Sequence, residues 1–336
     1  MKKLISLLIS ILMILSVLGM TACGQPKQVS LVYGSPKSTM QALKSGNVDF
    51  ALLPEPAATN FETNVGAGTT WYRMSLQELY DGQTKSYPQA VLMVKNDVLE
   101  GYPQLVREVG LEFSDNVQWV KENTATAITQ INALISAQNK TPSLNAKVIT
   151  SQVIDNCKIE WQPSQNAKEQ VKKYIDNLLS LDIGLGNTPA TKVDDDFFYV
   201  DNNGSGNAID RTFTFVAPDG APALSIAKFI NDNENFVEGA TFNYNVVDSD
   251  SIAAQVGTTD FVVVPVNLAS KLYKAKQYKM VSVITHGNLY VLSKTPSTIA
   301  DLDGKKVGVA GNEGLVPDLT LKVILQNNNF NYSKIA

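Results

Sequence analysis

The sequence predicts an α/β protein of two lobes that face each other across a cleft. Two windows, residues 33–58 and 244–269, align without a gap and share the order strand, helix, strand, which indicates two similar lobes. A third segment, 305–326, contains a strand and a helix that are missing ahead of the first window. Identical residues in the aligned windows are Tyr33/Tyr244, Ser38/Ser249, Ala42/Ala253, Gly46/Gly257, Asp49/Asp260, Phe50/Phe261, Pro54/Pro265 and Ala58/Ala269.

The first residues have the features of a secretory signal. Two lysines precede an apolar run, 4–18, which is short for a membrane span of about 20 residues. Small residues then precede Cys23, as in a bacterial lipobox. We therefore expect a signal peptide over 1–22 and a lipidated Cys23 that holds the protein at the outer face of the cell membrane. Ordinary cleavage near Ala22 is the alternative.

Composition favours binding over chemistry. Hydrophobic residues make up 44% and charged residues 18% of the chain, which fits a globular protein, and the net charge of −4 gives no reason to expect nucleic acid as a partner. The chain has one histidine, His286, and no His/Cys cluster with metal-ligand spacing. Phosphate-loop and GxGxxG patterns are absent. We therefore expect no catalysis, no metal and no cofactor, and a buried apolar role for Cys157.

The elements of the first lobe alternate in the order that a parallel sheet requires. The continuous apolar run 260–264 is typical of a strand that is buried on both faces. Pro222 stands where a helix tolerates proline in its first turn, and Gly257 ends a helix. The predicted elements are a strand at 212–217, a helix at 223–230, strands at 242–247 and 260–264, a helix ending at Tyr273 and a strand at 279–284.

The second lobe is predicted to contain both ends of the chain. A strand at 28–33, a helix at 36–44 and a strand at 49–53 lack a leading strand and helix, which appear at 305–310 and 318–326. The order therefore indicates a circular permutation, with the break in a loop; a further, truncated domain at the end is the alternative. The predicted division is 27–93 plus 296–336 for the second lobe, 94–200 plus 211–293 for the first lobe with its C-terminal helices, and 201–210 as a flexible linker.

Several stretches resemble the solute-binding lipoproteins of ABC importers, in the nitrate/sulfonate/taurine and thiamine-precursor group. That resemblance implies a type II periplasmic-binding-protein-like fold, a clamp that closes on a small molecule, and ABC permease subunits as partners. The family order would run 212–336 and then 28–200, in agreement with the permutation. The stretches are APDGAPALSIAKF (217–229), TDFVVVPVNLASKLY (259–273), IADLDGKKVGVAGNEGLVPDLTLKVIL (299–325), VSLVYGSPKSTMQALKSGNVDFALLPEPAAT (29–59) and KVDDDFFY (192–199).

Four turns, at 218–222, 265–267, 311–317 and 54–56, follow strands and precede helices. Ligands of open α/β sheets bind at such carboxyl ends. For the turn at 218–221 the alternative is simple turn formation, and for Asn267 it is helix capping. For Glu55 and Glu313 the alternative is an acid that the helix dipole favours at a helix start. Thr285–Gly287 match the family's hinge-side loop, and Tyr72 could stack on a ring, although aromatic residues are more often core. The candidate ligand-binding residues are Pro218, Asp219, Gly220, Ala221, Pro265, Asn267, Thr285, His286, Gly287, Gly311, Asn312, Glu313, Gly314, Pro54, Glu55 and Tyr72.

The sequence thus predicts a monomeric, non-enzymatic, lipid-anchored binding protein that delivers a small polar organic molecule or anion to a membrane permease. A pyrimidine-synthase-like enzyme on the same fold and a ligand sensor that docks to a receptor are the alternatives. Acidic residues in two turns, Glu55 and Glu313, favour an amine-bearing heterocycle over sulfonate or nitrate.

Overall fold

The computed structural model describes residues 26–80, 86–181, 188–232 and 237–335. The predicted signal peptide and Cys23 lie outside these ranges. No helix within them is both long enough and apolar enough to cross a membrane. The described strands form two six-stranded sheets. The strands are β1 (Lys27–Gly34), β2 (Phe50–Pro54), β3 (Tyr72–Ser75), β4 (Pro88–Lys95), β5 (Ile159–Pro163), β6 (Arg211–Pro218), β7 (Ala240–Val247), β8 (Phe261–Pro265), β9 (Tyr278–His286), β10 (Leu289–Ser293), β11 (Lys305–Ala310) and β12 (Phe330–Lys334).

Helices pack on both sheets, and a π-helix (Phe61–Val65) and two 3-10 helices (Asp195–Phe197 and Ile299–Leu302) complete the elements. The α-helices of the described ranges are α1 (Pro36–Ser45), α2 (Ala57–Asn60), α3 (Leu76–Tyr80), α4 (Asn96–Gly101), α5 (Pro103–Glu122), α6 (Thr124–Ser136), α7 (Ser151–Asn156), α8 (Ser164–Leu179), α9 (Ala221–Leu224), α10 (Ala227–Asp232), α11 (Ile252–Gln255), α12 (Val266–Lys276) and α13 (Val316–Asn327).

Both ends of the described chain meet in one sheet, which we call the terminal sheet. Its strand order is β12-β1-β11-β2-β10-β3. Strand β1 runs parallel to β11, with Val29 opposite Lys305, and parallel to β12 on its other side. The strand at 305–310 thus lies in the sheet that the sequence predicts for it, where it pairs with both β1 and β2. The circular permutation itself stays a prediction.

The other sheet, the central sheet, has the order β5-β9-β4-β8-β6-β7. Strands β6, β7 and β8 are parallel, whereas β4 is antiparallel to both β8 and β9, and β5 is antiparallel to β9. The terminal sheet is mostly parallel, as predicted, but the prediction of a mostly parallel sheet in the first lobe is wrong.

Exchange of strands between the sheets explains the antiparallel pairs of β4 and β10. Strand β4 follows β3 in sequence yet pairs in the central sheet, and β10 follows β9 yet pairs in the terminal sheet. A strand that comes from the other sheet enters at the edge where the parallel strands end, so it runs antiparallel to them. The sheet pairing therefore differs from the predicted division, which put 88–93 in the second lobe and 289–293 in the first.

Local sequence accounts for the elements that carry the site. Helix α1 begins at Pro36, is capped by the Ser35 side chain, and ends at Gly46 with φ of 76°. Helix α5 buries one apolar face, which includes Val109 and Phe113 at helical spacing. Strand β8 is buried on both faces. Cys157 is fully buried, and burial raises the pKa of its thiol.

One apolar core runs from the terminal sheet into the central sheet. It includes Leu31 and Val307 from the former and Val91 and Val264 from the latter. Helix α8 of the first lobe lies against α13 of the second, and the Tyr174 hydroxyl and Thr320 Oγ1 form a buried hydrogen bond of 3.0 Å between them. The two lobes are therefore packed together along this side.

The predicted linker, 201–210, contains no helix or strand, in keeping with its composition. It is nevertheless held against α5, because Arg107 Nη1 pairs with Asp201 Oδ1 at 2.9 Å and Arg107 Nη2 donates to the Gly204 carbonyl at 2.7 Å. The Asn207 amide adds a hydrogen bond of 2.8 Å to the Gly101 carbonyl.

Candidate ligand site between the two sheets

The carboxyl edges of the two sheets face each other. Among the described residues, the side-chain hydrogen bonds that cross between them include Asn267 Nδ2 to the Gly314 carbonyl at 3.3 Å, Asn312 Nδ2 to Asp250 Oδ1 at 3.3 Å, and Asn156 Nδ2 to Glu55 Oε1 at 3.5 Å. The structure therefore brings three of the four predicted turns to one interface.

Asn267 is the second residue of α12, directly after the end of β8. It is buried, and its Nδ2 also donates to the Pro189 carbonyl at 3.3 Å. The N-cap position of α12 is occupied by Pro265, so Asn267 is not its N-cap residue. Within the described residues Oδ1 of Asn267 has no hydrogen-bond partner. A buried amide oxygen is thus left as an acceptor between the lobes.

The turn after β11 is held in place by its own lobe. Gly311 has φ of 108°, and its amide donates to the Gly34 carbonyl at 2.7 Å. The Gly314 amide donates to Asp318 Oδ2 at 2.8 Å. The Glu313 carboxylate pairs with Lys334 at 3.1 Å and Lys322 at 3.3 Å, and the hydrogen bond from Lys334 lowers the pKa of Glu313. Glu313 is therefore an ion-paired residue of this turn.

Glu55, beside Pro54 at the end of β2, is saturated by its neighbours. Its side chain is fully buried and accepts from Arg73 Nη1 at 2.5 Å and Thr59 Oγ1 at 2.8 Å. Arg73 also pairs with Glu62 at 2.6 Å and lies over the Tyr290 ring. This buried carboxylate has its charge and hydrogen-bonding needs met inside the second lobe.

The turn after β6 makes its hydrogen bonds within the first lobe. Asp219 accepts from the Ser143 amide and from the Gly220 amide, each at 2.8 Å, and burial raises the pKa of its carboxyl. Gly220 has φ of 103°, and Pro218 and Ala221 are buried beside it. This turn lies at the same edge of the central sheet as Pro265, because β6 and β8 are parallel.

The segment from Thr285 to Gly287 links the two sheets. Thr285 is fully buried, and its Oγ1 has no partner among the described residues. The Gly287 amide donates to the Tyr87 carbonyl at 2.9 Å, and a Cβ at Gly287 would lie 2.6 Å from the Tyr87 ring. The close approach of that ring therefore requires glycine.

His286 closes β9 and is 7% exposed. Its Nε2 is 3.0 Å from Gln162 Oε1, while Nδ1 is 3.8 Å from Glu160 Oε2, which is too long for a hydrogen bond. Burial lowers the pKa of His286. His286 borders a pocket of about 280 Å³ whose described lining residues are Ser86, Val117, Ile154, Asp155, Lys158, Ile159, Glu160, His286 and Gly287.

Sequence reasoning missed Asn288 and Tyr87. Both are at least nine-tenths buried at the facing edges, and the Asn288 Oδ1 and the Tyr87 hydroxyl lack a hydrogen-bond partner in the described ranges. Asn288 directly follows the predicted 285–287 loop and could have been found by extending it. Tyr72 behaves differently, since it opens β3 opposite Ser293, at the end of the strand away from the facing edge.

Comparisons with known proteins yield loose structural overlaps. AppA from Bacillus subtilis, an oligopeptide-binding protein solved with a nonapeptide, is 11% identical over 77% of this chain and 54% of its own, with a TM-score of 0.31. DppA from Helicobacter pylori, an ABC transporter-associated periplasmic binding protein with the peptide STSA, is 8% identical over 81% and 55%, with a TM-score of 0.30. The chain thus spans about half the length of either protein.

LysG from Corynebacterium glutamicum, a full-length LTTR with bound effector Arg, overlaps 98% of this chain and 77% of its own at 9% identity, with a TM-score of 0.27. No protein-family model and no characterised protein sequence matches the chain.

Proposed function

We propose that this protein is an extracytoplasmic solute-binding protein of an ABC importer, which captures a small polar organic molecule between its lobes and passes it to a membrane permease. The observation that carries the proposal is the set of buried, unpartnered polar atoms at the facing edges: Asn267 Oδ1, Asn288 Oδ1 and the Tyr87 hydroxyl. Each buried polar group without a partner costs about 1–3 kcal/mol. A polar ligand between the lobes would supply the missing partners.

The strand exchange supports a clamp. In the described ranges, the link from His286 to Leu289 joins the last strand of the central sheet to a strand of the terminal sheet. Short connections of this kind absorb the backbone rotation when two lobes close on a ligand. We propose that Thr285–Gly287 serve this hinge and that the turn 311–314 borders the ligand.

The anchoring and transport parts of the proposal depend on the sequence. The lipobox-like segment that ends at Cys23 would place the protein at the outer membrane face, and the stretches quoted above resemble importer lipoproteins. A monomer that docks on permease subunits, a circularly permuted chain order and the absence of catalysis belong to the same proposal.

A binding screen tests the function. The chain from Gln25 onward would be tested by thermal shift against small amines, amidines, carboxylates, sulfonates and nitrate, with mass spectrometry of each mixture after incubation. Calorimetry with the best ligand would compare the unchanged protein with Asn267→Ala and with the exposed control Asn331→Ala. We expect at least tenfold weaker binding for Asn267→Ala, no change for the control, and unchanged ligand mass.

Two outcomes would contradict the proposal. A chemically converted ligand would show an enzyme, and failure of every compound class to bind would remove the solute-binding role. Small-angle scattering provides a second test, because the radius of gyration of a clamp is expected to change when its lobes close on the added ligand.

A further inference from the structure

A third carboxylate near the facing edges differs from the two that the sequence singles out. Glu55 is saturated by Arg73 and Thr59, and Glu313 is paired with two lysines. Glu160 on β5 has a 69% exposed side chain, and its nearest described charged or titratable neighbour is His286 Nδ1 at 3.8 Å. Of these three carboxylates, Glu160 is the one whose acceptor capacity is unused.

Hydrogen bonding defines the chemistry that His286 offers. Gln162 Oε1 can only accept, so Nε2 of His286 carries the hydrogen that joins them at 3.0 Å. In the neutral ring Nδ1 then holds a lone pair, and burial disfavours the charged ring. That Nδ1 is buried without a hydrogen-bond partner among the described residues. It is therefore an unused acceptor beside the Glu160 carboxylate.

The pocket around these two acceptors has apolar walls. Val117, Ile154 and Ile159 line it together with the polar groups. Its volume of about 280 Å³ is at the small end of the range for ligand pockets, roughly 300–1,000 Å³. The walls suit a compact apolar body of ring size.

Hydrogen-bonding groups in the pocket favour a cationic donor. Its described lining contains two carboxylates, Asp155 and Glu160, and one lysine, Lys158. Asp155 is occupied by Lys121 at 2.5 Å, so Glu160 and Lys158 are the remaining charges of that lining, one of each sign. A ligand cation would gain the attraction of Glu160 and a hydrogen bond to the His286 lone pair, whereas a carboxylate has no hydrogen to donate to that lone pair.

We propose that this pocket receives an ammonium or amidinium group on a small apolar body, which donates hydrogen bonds to Nδ1 of His286 and to the carboxylate of Glu160. The assignment rests on the proposed solute-binding function and names its ligand class. Because the pocket adjoins the link between β9 and β10, occupancy would also brace that link.

Benzamidine and benzoate form a matched pair of probes, since they are planar, similar in size and opposite in charge. Calorimetry would measure both with the unchanged protein, Glu160→Gln and His286→Gln, with exposed Glu169→Gln as the control. Glutamine at 286 can still donate to Gln162 but lacks an acceptor at the Nδ1 position. Circular dichroism would verify that each variant is folded.

We expect saturable benzamidine binding, about tenfold weaker in Glu160→Gln and several-fold weaker in His286→Gln, with no change in the control and no binding of benzoate. Benzoate binding as tight as benzamidine, equal benzamidine affinity in all four proteins, or no benzamidine binding at millimolar concentration would each overturn the inference. If another ligand binds and loses affinity in Asn267→Ala but not in Glu160→Gln, the solute-binding function stands and this ligand class alone fails.

Discussion

The turn at Glu55 and the pocket at Glu160 both present a carboxylate near the interface of the lobes, but in opposite electrostatic situations. Glu55 is buried and held by Arg73, Thr59 and, across the interface, Asn156. Glu160 is exposed on an edge strand, and its closest charged or titratable neighbour in the described chain is a buried imidazole. The comparison teaches that Glu55, in a predicted ligand turn, is used in an internal ion pair. Glu160, on a strand that the sequence did not single out, keeps its carboxylate oxygens available as acceptors.

The difference follows from desolvation. A carboxylate removed from water must be paired, and the Arg73 guanidinium meets that requirement for Glu55. A carboxylate that remains in water needs no partner, so Glu160 can bind a ligand without first breaking an internal ion pair. The substitutions below separate these roles, from the largest expected effect to the smallest.

Removal of Arg73 should produce the largest loss of stability. Arg73→Met leaves Glu55 buried without its cation, and breaking a buried ion pair costs about 3–5 kcal/mol. We expect the lower end, because the Arg73 side chain is 24% exposed. Urea unfolding would measure the loss against Lys274→Met, which breaks the exposed pair with Asp194 and should destabilise the protein far less. An equal loss of unfolding free energy in the two variants would show that the Arg73–Glu55 pair does not behave as a buried ion pair.

Neutralising Glu55 should cost less. Glu55→Gln keeps the shape and one acceptor but weakens the bonds from Arg73 and Thr59, so we expect a loss of about 1–3 kcal/mol in the free energy of unfolding. The affinity for benzamidine should stay within about twofold of the unchanged protein. A tenfold loss of that affinity with unaltered stability would instead place Glu55 in the ligand site.

Acidification should weaken the protein through His286. Burial lowers the pKa of His286 below its ordinary value of 6.5, so the unfolded chain takes up a proton before the folded one does. The contribution is fully present above pH 6.5 and is lost as pH falls below that value. Glu160, Asp155 and Lys158 line the same pocket, so the slope of melting temperature against pH must be compared in His286→Gln, where this part of it should disappear. An identical slope would exclude His286 as its source.

Neutralising Glu160 should have the smallest effect on stability. Glu160→Gln alters an exposed side chain that makes no hydrogen bond to another described residue, so the free energy of unfolding should change by less than about 0.5 kcal/mol. Urea unfolding of Glu160→Gln beside Glu55→Gln gives the direct contrast. A loss in Glu160→Gln as large as that in Glu55→Gln would end the distinction between the two regions.

Several features could be predicted from the sequence because they depend on local patterns. The repeat, together with the surplus strand at 305–310, placed both chain ends in one sheet, and β1 does pair with β11. Turn chemistry located the strand ends around Pro265 and Gly311, and the continuous apolar run 260–264 identified a strand that is buried on both faces. These properties follow from backbone conformation and side-chain periodicity, which short stretches of sequence determine.

The tertiary structure alone decided what those turns contact. Arg73, which neutralises Glu55, comes 18 residues later in the chain, and Gln162, which orients His286, lies 124 residues away. The exchange of β4 and β10 between the sheets made the central sheet mixed and left Tyr72 at the far end of its strand. Ion pairing, burial and strand direction at the interface depend on groups that are distant in sequence, so spacing within the chain does not determine which carboxylate is neutralised and which stays available.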